Sequence, residues 1–217
     1  NPKKNRDTPY ISYIDESLNE SQKSAIENAL SCENFFLIHG PFGTGKTRTL
    51  VELISQETRQ GHKVLATAES NAAVDNILER LMDNKKLTLT RLGHPQRVSK
   101  HNISQTLAFK VENHKLNKKI KRIHKKIDNL IGKRKVHTKP TPQYRRGLGD
   151  YDILYYASKG KGSRGVSAEK IKSMAKWIEI NQEIDEAHDE IKRIENRMIK
   201  DIVDSSDVIL ATNSSSA

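Results

Sequence analysis

The sequence predicts an α/β protein: a parallel sheet with crossover helices, interrupted by a long helical insertion. A glycine-rich loop, residues 40–47, lies between an apolar run and an amphipathic helix. Short apolar runs then alternate with helical patterns as far as Leu92, which is typical of a parallel sheet. From residue 101 to residue 205 this alternation gives way to two long apolar stripes of heptad spacing.

The loop Gly40-Pro41-Phe42-Gly43-Thr44-Gly45-Lys46-Thr47 fills every fixed position of the phosphate-binding pattern, Gly, four residues, then Gly-Lys-Thr. Residues 34–39 are predicted to form a short buried strand before it, and residues 48–59 a helix after it. In that context backbone N–H groups surround a phosphate chain, and the helix dipole adds positive potential. Lys46 is expected to reach the β- and γ-phosphates of ATP, and Thr47 to hold Mg²⁺, so both are candidate catalytic residues. The predicted nucleotide-binding residues here are Gly40, Pro41, Gly43, Thr44, Gly45, Lys46, Thr47 and Arg48.

The remaining elements follow in order. Residues 1–16 are polar and are predicted to be a linker. A helix is expected over 18–30 with Asn19 or Ser21 as its N-cap, and another over 71–82. Strands are predicted at 63–67, 87–92 and 207–212, each an apolar run of strand length.

The insertion has apolar residues at alternating steps of three and four in two arms. The first set is Phe109, Leu116, Ile120, Ile123, Ile127 and Leu130, and the second is Trp177, Ile180, Ile184, Ala187, Ile191, Ile194 and Met198. The first arm is basic and the second is more acidic, which predicts an antiparallel coiled-coil hairpin. The predicted domains are therefore a nucleotide-binding part over 1–100, an inserted arm and tip over 101–205, and a returning strand over 206–217.

Basic charge is concentrated in that arm. The chain has a net charge of +11, yet 14 basic and two acidic residues lie between Lys110 and Arg146 alone. A block of this kind favours a polyanionic partner such as nucleic acid, although a solvated lysine-rich helix face is an equally good interpretation from charge alone.

The tip of the arm, residues 132–166, places cations beside four tyrosines. Tyrosine stacking next to cations that follow the backbone is how single strands are bound without sequence preference. The predicted contacts are Lys133, Arg134, Lys135, Arg145 and Arg146. Ile153, Leu154 and Tyr155 are predicted to form the core of the tip.

Several classes are disfavoured. A single Cys32 excludes a disulfide framework and, with no signal peptide, predicts a cytoplasmic protein. No apolar run approaches the roughly 20 residues of a membrane span. No metal-binding spacing is present among the eight histidines. The chain begins at Asn1 rather than Met, which is expected of an excerpt of a longer protein.

Four stretches resemble the first RecA-like domain of superfamily 1 helicases. The branch is that of the nonsense-mediated-decay and immunoglobulin mu-binding helicases with their archaeal relatives. The resemblance is carried by residues 18–25, the loop, Ala68-Glu69-Ser70-Asn71-Ala72-Ala73-Val74-Asp75, and Ala211-Thr212-Asn213-Ser214. It covers residues 18–98 and 206–217, about half the chain. Phe42 and Glu69 stand where this branch usually has proline.

This resemblance implies roles for further residues. Gln22 would contact adenine, while Ser70, Asn71 and Thr212 would contact a nucleic-acid strand. It also implies ATP and Mg²⁺ as cofactors, movement 5′ to 3′ on single strands, and a second RecA-like domain as partner. The acidic pair that follows Thr212 in the branch is not within the 217 residues, so this chain alone is expected to be inactive.

The sequence thus predicts the first motor domain of an ATP-dependent helicase or translocase. Two alternatives stay open at this stage. One is a P-loop ATPase of another class, which the stretches around Gln22 and Ser70 disfavour. The other is a nucleic-acid-binding module whose nucleotide site is vestigial.

Overall fold

The computed structural model describes residues 11–216 and contains a small parallel sheet with helices, as the sequence predicts. Its contacts divide the chain into two compact units, residues 11–113 with 199–216, and residues 114–198. The strands are β1 (Val64–Ala68), β2 (Leu89–Arg91) and β3 (Val208–Thr212). The helices are α1 (Glu20–Leu30), α2 (Lys46–Arg59), α3 (Asn71–Met82), α4 (Leu107–Glu112), α5 (Asn117–Arg134), α6 (Pro142–Arg145), α7 (Asp150–Ser158), α8 (Ala168–Asp204) and α9 (Asn213–Ser216).

The sheet has the order β1-β3-β2, with both pairings parallel. The register places Ala68 opposite Thr212, so β1 and β3 end at the same edge. Apolar side chains of α2 and α3 cover the sheet, and Ile54, Leu78, Leu81, Val208 and Leu210 belong to one buried cluster. The strand after the insertion is therefore the middle strand of the three.

The stretch before the loop differs from its prediction. Residues 35–40 have no regular secondary structure, and Phe35 and Leu37 are 75% and 82% exposed. Phe36 and Ile38 are half-buried, so the alternation of a strand is kept. A strand also needs a neighbour for its backbone N–H and C=O groups, and none of the described strands pairs with this stretch. The prediction of a strand at 34–39 is therefore wrong.

The segment before α1 is hydrogen-bonded to α2. Of the predicted linker, residues 1–10 lie outside the described residues. The Glu52 carboxylate, 3% exposed, accepts the N–H groups of Ile14 and Asp15 at 3.0 and 3.1 Å. Leu18 is buried with Ile26 of α1. Residues 11–16 are consequently a bound segment rather than a linker.

A buried arginine joins β2 to α3. Arg91 is fully buried, and its Nε donates to Asp75 Oδ1 at 3.2 Å. Its Nη2 donates to Asn71 Oδ1 at 2.8 Å, and the other Asp75 oxygen accepts from Ser99 N at 3.0 Å. A buried guanidinium needs this pairing because burial of an isolated charge is costly. The network fixes the first turn of α3 relative to the sheet.

The second unit contains α5, α6, α7 and most of α8. On α5 the buried side chains are Ile120, Ile123, Ile127 and Leu130, as predicted. On α8 the predicted Ile184, Ala187, Ile191, Ile194 and Met198 are buried. An ion pair links Lys119 Nζ to Glu190 Oε1 at 2.7 Å. A separate core cluster consists of Leu148, Ile153, Val166, Ile171, Met174, Ala175 and Ile178.

Some predicted core positions are exposed or displaced. Phe109 lies on the separate helix α4 and is 40% exposed. Trp177 and Ile180 are half-buried, because near the tip α8 turns Ile171, Met174 and Ile178 toward the tip core instead. Ile153 is buried and Leu154 packs against it, but Tyr155 is 49% exposed. The prediction of Tyr155 as a core residue is wrong.

We expect Asp75→Ala to lower the free energy of unfolding by about 3–5 kcal/mol, because it leaves Arg91 buried without its carboxylate. The double variant D75L/R91M should lose less, since it removes both charges and fills their volume. Urea unfolding of the two variants measures the difference. Equal losses in both would show that the charge pair does not govern this site.

Candidate functional site

The glycine-rich loop leads into α2 with the backbone that its pattern requires. Gly43 and Gly45 have φ of +82° and +83°, and Gly45 is the N-cap of α2, without a side-chain cap. The Lys46 ammonium donates to the Pro41 carbonyl at 2.8 Å and also to that of Gly40. Thr44 Oγ1 donates to Pro41 O at 2.8 Å. The loop is thus closed around its own lysine at a helix N-terminus, a position that favours anions.

The amide of Gln22 lies against this loop. Its Nε2 donates to Thr44 O at 3.0 Å, and its Oε1 accepts the Asn19 N–H at 3.0 Å within the capping box of α1. A Cβ atom on Gly45 would lie 2.5 Å from Gln22 Nε2. The two stretches that the sequence assigns to base and phosphates are therefore adjacent.

Two acids near the loop were missed by sequence reasoning. Arg48, expected to bind nucleotide, pairs with Asp15, with Nη2 at 2.6 Å from Oδ1. Burial tends to raise the pKa of Asp15, but hydrogen bonds from Ser17 and Arg48 outweigh it and hold the pKa below its usual range. Glu52 in turn holds the Asp15 backbone. The sequence signal for Glu52 was the position of an acidic residue on the inward face of α2.

The loop presents glycines, a lysine and a threonine, the residue types that would hold phosphates and Mg²⁺. Gly43, Gly45, Lys46 and Thr47 line a cavity of about 1390 Å³ that also reaches Asp15. At Gly40 a Cβ atom would lie 2.7 Å from Thr44 Oγ1, so only glycine leaves this turn open. Phe42, fully exposed, stands 5.5 Å from the Lys46 ammonium, measured to its ring centroid.

The residues that are predicted to contact a nucleic-acid strand lie at one edge of the β-sheet. Ser70 and Asn71 follow β1, and Thr212 ends β3 beside it. Each already has a partner in the protein: Ser70 Oγ accepts Ala73 N at 3.2 Å, Asn71 Oδ1 accepts Arg91, and Thr212 Oγ1 lies 2.9 Å from Ser215 Oγ. Thr212 is only 7% exposed.

The five predicted cations of the tip have two different environments. Lys133, Lys135 and Arg146 are exposed. Arg134 stacks on Trp177, with its guanidinium carbon 5.0 Å from the ring, and donates to Asn181. Arg145 pairs with Asp150 and donates to Pro140 O at 2.6 Å. Arg134 and Arg145 therefore hold the tip together.

Two kinds of feature are absent from the described part of the chain. No three His, Cys, Asp or Glu side chains there are grouped to hold a metal ion. The helices of residues 11–216 include none with the length and hydropathy to cross a membrane.

Comparison with known proteins gives consistent matches. A family profile described as an AAA domain matches residues 17–217. An uncharacterized ATP-dependent helicase of Methanocaldococcus jannaschii is 44% identical over 206 residues, 94% of this chain and 31% of its own length. The DNA-binding protein SMUBP-2 of Rattus norvegicus is 44% identical over 131 residues, 58% of this chain and 13% of its own.

A third relative, the DNA polymerase alpha-associated DNA helicase A of Schizosaccharomyces pombe, is 46% identical over 88 residues, 41% of this chain and 13% of its own length. The chain thus spans less than a third of the length of each of these relatives.

We expect Gly45→Ala to destabilise the loop more than Gly43→Ala. Both glycines have a left-handed backbone, which costs other residues roughly 1–2 kcal/mol. A Cβ atom would meet nothing within 4 Å at Gly43, but it would meet Gln22 at Gly45.

The measurement is urea unfolding of both variants, alone and with Gln22→Ala. The extra loss at position 45 should vanish in the Gln22→Ala background. If it persists there, Gln22 does not pack against the loop.

Proposed function

Because the chain belongs to the AAA domain family and to the superfamily 1 helicase branch, we propose that it is the first motor domain of an ATP-dependent helicase or translocase. The observation that supports this most is the adjacency of Gln22 and the loop Gly40–Thr47. The Gln22 amide, which would contact the base, and the loop backbone, which would bind the phosphates, then belong to one site. The activity of the whole protein, on DNA or RNA, is part of the proposal.

In this proposal each loop residue has a defined task. The ammonium of Lys46 exchanges the carbonyls of Gly40 and Pro41 for the nucleotide phosphates. The Thr47 hydroxyl would hold Mg²⁺, and the N–H groups at the start of α2 would donate to phosphate oxygens. Bound ATP supplies the phosphoanhydride whose hydrolysis drives movement. Arg48, paired with Asp15, positions the start of α2 rather than the phosphates.

The second part of the proposal concerns the insertion. We assign residues 101–205 to an antiparallel helical arm, with 1–100 and 206–217 as the RecA-like part. The Lys119–Glu190 and Arg134–Asn181 contacts support the antiparallel order of α5 and α8. Nucleic acid would contact Ser70, Asn71 and Thr212 at the sheet edge. The exposed cations of the tip are a separate set of proposed contacts. A second RecA-like domain and a cytoplasmic location complete the proposal.

We expect Lys46→Ala to remove Mg-ATP binding while leaving the unfolding transition unchanged. The lysine is exposed at the first residue of α2, so its charge matters to phosphate more than to stability. Isothermal titration calorimetry with Mg-ATP measures this, and Lys100→Ala, which removes an exposed lysine elsewhere, is the control. Unchanged ATP affinity in the Lys46 variant would refute the assignment of the loop.

We expect the double charge reversal K133E/K135E to weaken binding of single strands and to flatten its salt dependence. Each lost phosphate contact should reduce the slope of log K against log salt by about 0.7. Both lysines are exposed, whereas Arg134 is excluded because it stacks on Trp177.

Fluorescence anisotropy with a labelled oligonucleotide over a series of salt concentrations measures affinity and slope. The control is the double variant K192Q/K200Q, which alters two exposed lysines of α8. Survival of both affinity and slope in K133E/K135E would mean that these lysines belong to a solvated helix face.

A further inference from the structure

Two tight turns in the tip have the same unusual sequence, Arg-Gly. In the first, Leu148 N donates to Arg145 O at 2.9 Å around Arg146-Gly147; in the second, Val166 N donates to Ser163 O at 2.9 Å around Arg164-Gly165. All four central residues have positive φ, 46° and 80° in the first turn and 51° and 72° in the second. Positive φ at both central residues is the pattern of a type I′ turn, in which Asn-Gly is preferred.

The two turns bind each other reciprocally. Arg146 Nη1 donates to Arg164 O at 3.3 Å, and Arg164 Nη1 donates to Arg146 O at 3.3 Å. A Cβ atom on Gly147 would lie 2.6 Å from Arg164 Nη1, and one on Gly165 would lie 2.5 Å from Arg146 Nη1. Each guanidinium therefore lies on the glycine of the opposite turn. The glycines are required by this close approach as well as by their backbone angles.

This arrangement is unfavourable for the protein by itself. Among the described residues, Arg146 and Arg164 are the two non-glycine residues with positive φ. A left-handed backbone is costly for arginine and much less so for asparagine. The arrangement also places two positive charges at adjoining turns. Strained residues of this kind cluster at sites where a ligand is bound.

The two acids that follow the first turn in sequence are occupied elsewhere. Asp150 pairs with Arg145, and Asp152 Oδ2 accepts the Gly149 N–H at 3.0 Å. Arg146 and Arg164 are both exposed, and each uses one guanidinium nitrogen in the reciprocal contact. Their other N–H donors suit the oxygens of a phosphodiester.

The helix α7, which follows the first turn in sequence, favours nucleic acid over an acidic protein segment. Tyr151 and Tyr155 are 80% and 49% exposed, and the Lys159 ammonium is 5.9 Å from the centre of the Tyr155 ring. Exposed aromatic rings beside cations provide stacking surfaces for bases. An acidic peptide would use the charges but would not need the exposed rings.

We propose that the paired turns Arg146-Gly147 and Arg164-Gly165 form a phosphate-binding site for the backbone of single-stranded nucleic acid. The proposal rests on the proposed function and adds to it a defined site in the tip. Arg164, which the sequence did not single out, binds as an equal partner of Arg146. Arg145 and Arg134 support the tip instead of binding the strand.

The test is the double variant R146N/R164N in the 217-residue chain. It converts both turns to Asn-Gly, which relieves the backbone while removing both charges. We expect the melting temperature to be unchanged or higher. Loss of two phosphate contacts should reduce the slope of log K against log salt by about 1.4. Between about 0.1 and 1 M salt the affinity of the variant should therefore fall about 25-fold less than that of the wild type.

Affinity is measured by anisotropy with labelled oligothymidylate and oligouridylate of about 20 nucleotides, long enough for one binding site. The control K192Q/K200Q removes the same charge from α8 and should leave the slope within error. If R146N/R164N keeps wild-type affinity and slope, the paired turns do not bind the strand.

A lower melting temperature in R146N/R164N would also overturn the proposal, because the arginines would then stabilise the turns rather than strain them. The proposed function has a separate readout. If the wild-type chain binds neither oligonucleotide, the nucleic-acid part of the proposed function fails and the proposal for the turns fails with it. If the wild type binds and the variant binds equally, the proposal for the turns alone fails.

Discussion

The pairing of β3 between β1 and β2 is the constraint on which the first unit depends. β1 and β2 both pair with β3 and not with each other, although β3 follows them after the whole insertion. The register that places Ala68 opposite Thr212 also brings together the two stretches that are predicted to contact nucleic acid. An insertion between β2 and β3 is compatible with this sheet because it starts and ends within the first unit.

Buried polar groups, rather than apolar packing alone, position the functional residues. Arg91 donates hydrogen bonds to Asn71 and Asp75 at the start of α3. Glu52 accepts the backbone N–H of Asp15, whose carboxylate pairs with Arg48. Such groups must be paired because a buried charge without a partner has lost its hydration and has no protein contact to replace it. The paired charges Arg91 and Asp75 thus hold the Ser70-Asn71 stretch, and Asp15 pairs with Arg48 directly after the loop.

The sequence predicted what depends on neighbours along the chain. The loop, the Asn19 cap, α3 and the apolar stripe of α5 follow from local spacing, and the structure confirms them. It failed where a distant partner decides the outcome. Residues 34–39 have the alternation of a strand, but none of the described strands pairs with them. Arg91 looks like an ordinary strand residue in the sequence, and only the structure shows that Asp75 is its partner. Tyr155 is predicted to belong to the core with Ile153 and Leu154, yet Leu148 and Val166 fill that core beside Ile153.

We propose that ATP hydrolysis at this loop is coupled to nucleic acid. The most direct measurement is steady-state ATP hydrolysis by the full-length protein with and without single-stranded DNA or RNA, beside its Lys46→Ala variant. We predict hydrolysis that the strand stimulates and that the variant lacks. Hydrolysis that ignores the strand would identify a P-loop ATPase of another class, and strand binding without any hydrolysis would identify a binding module with a vestigial site. Either result would contradict the account.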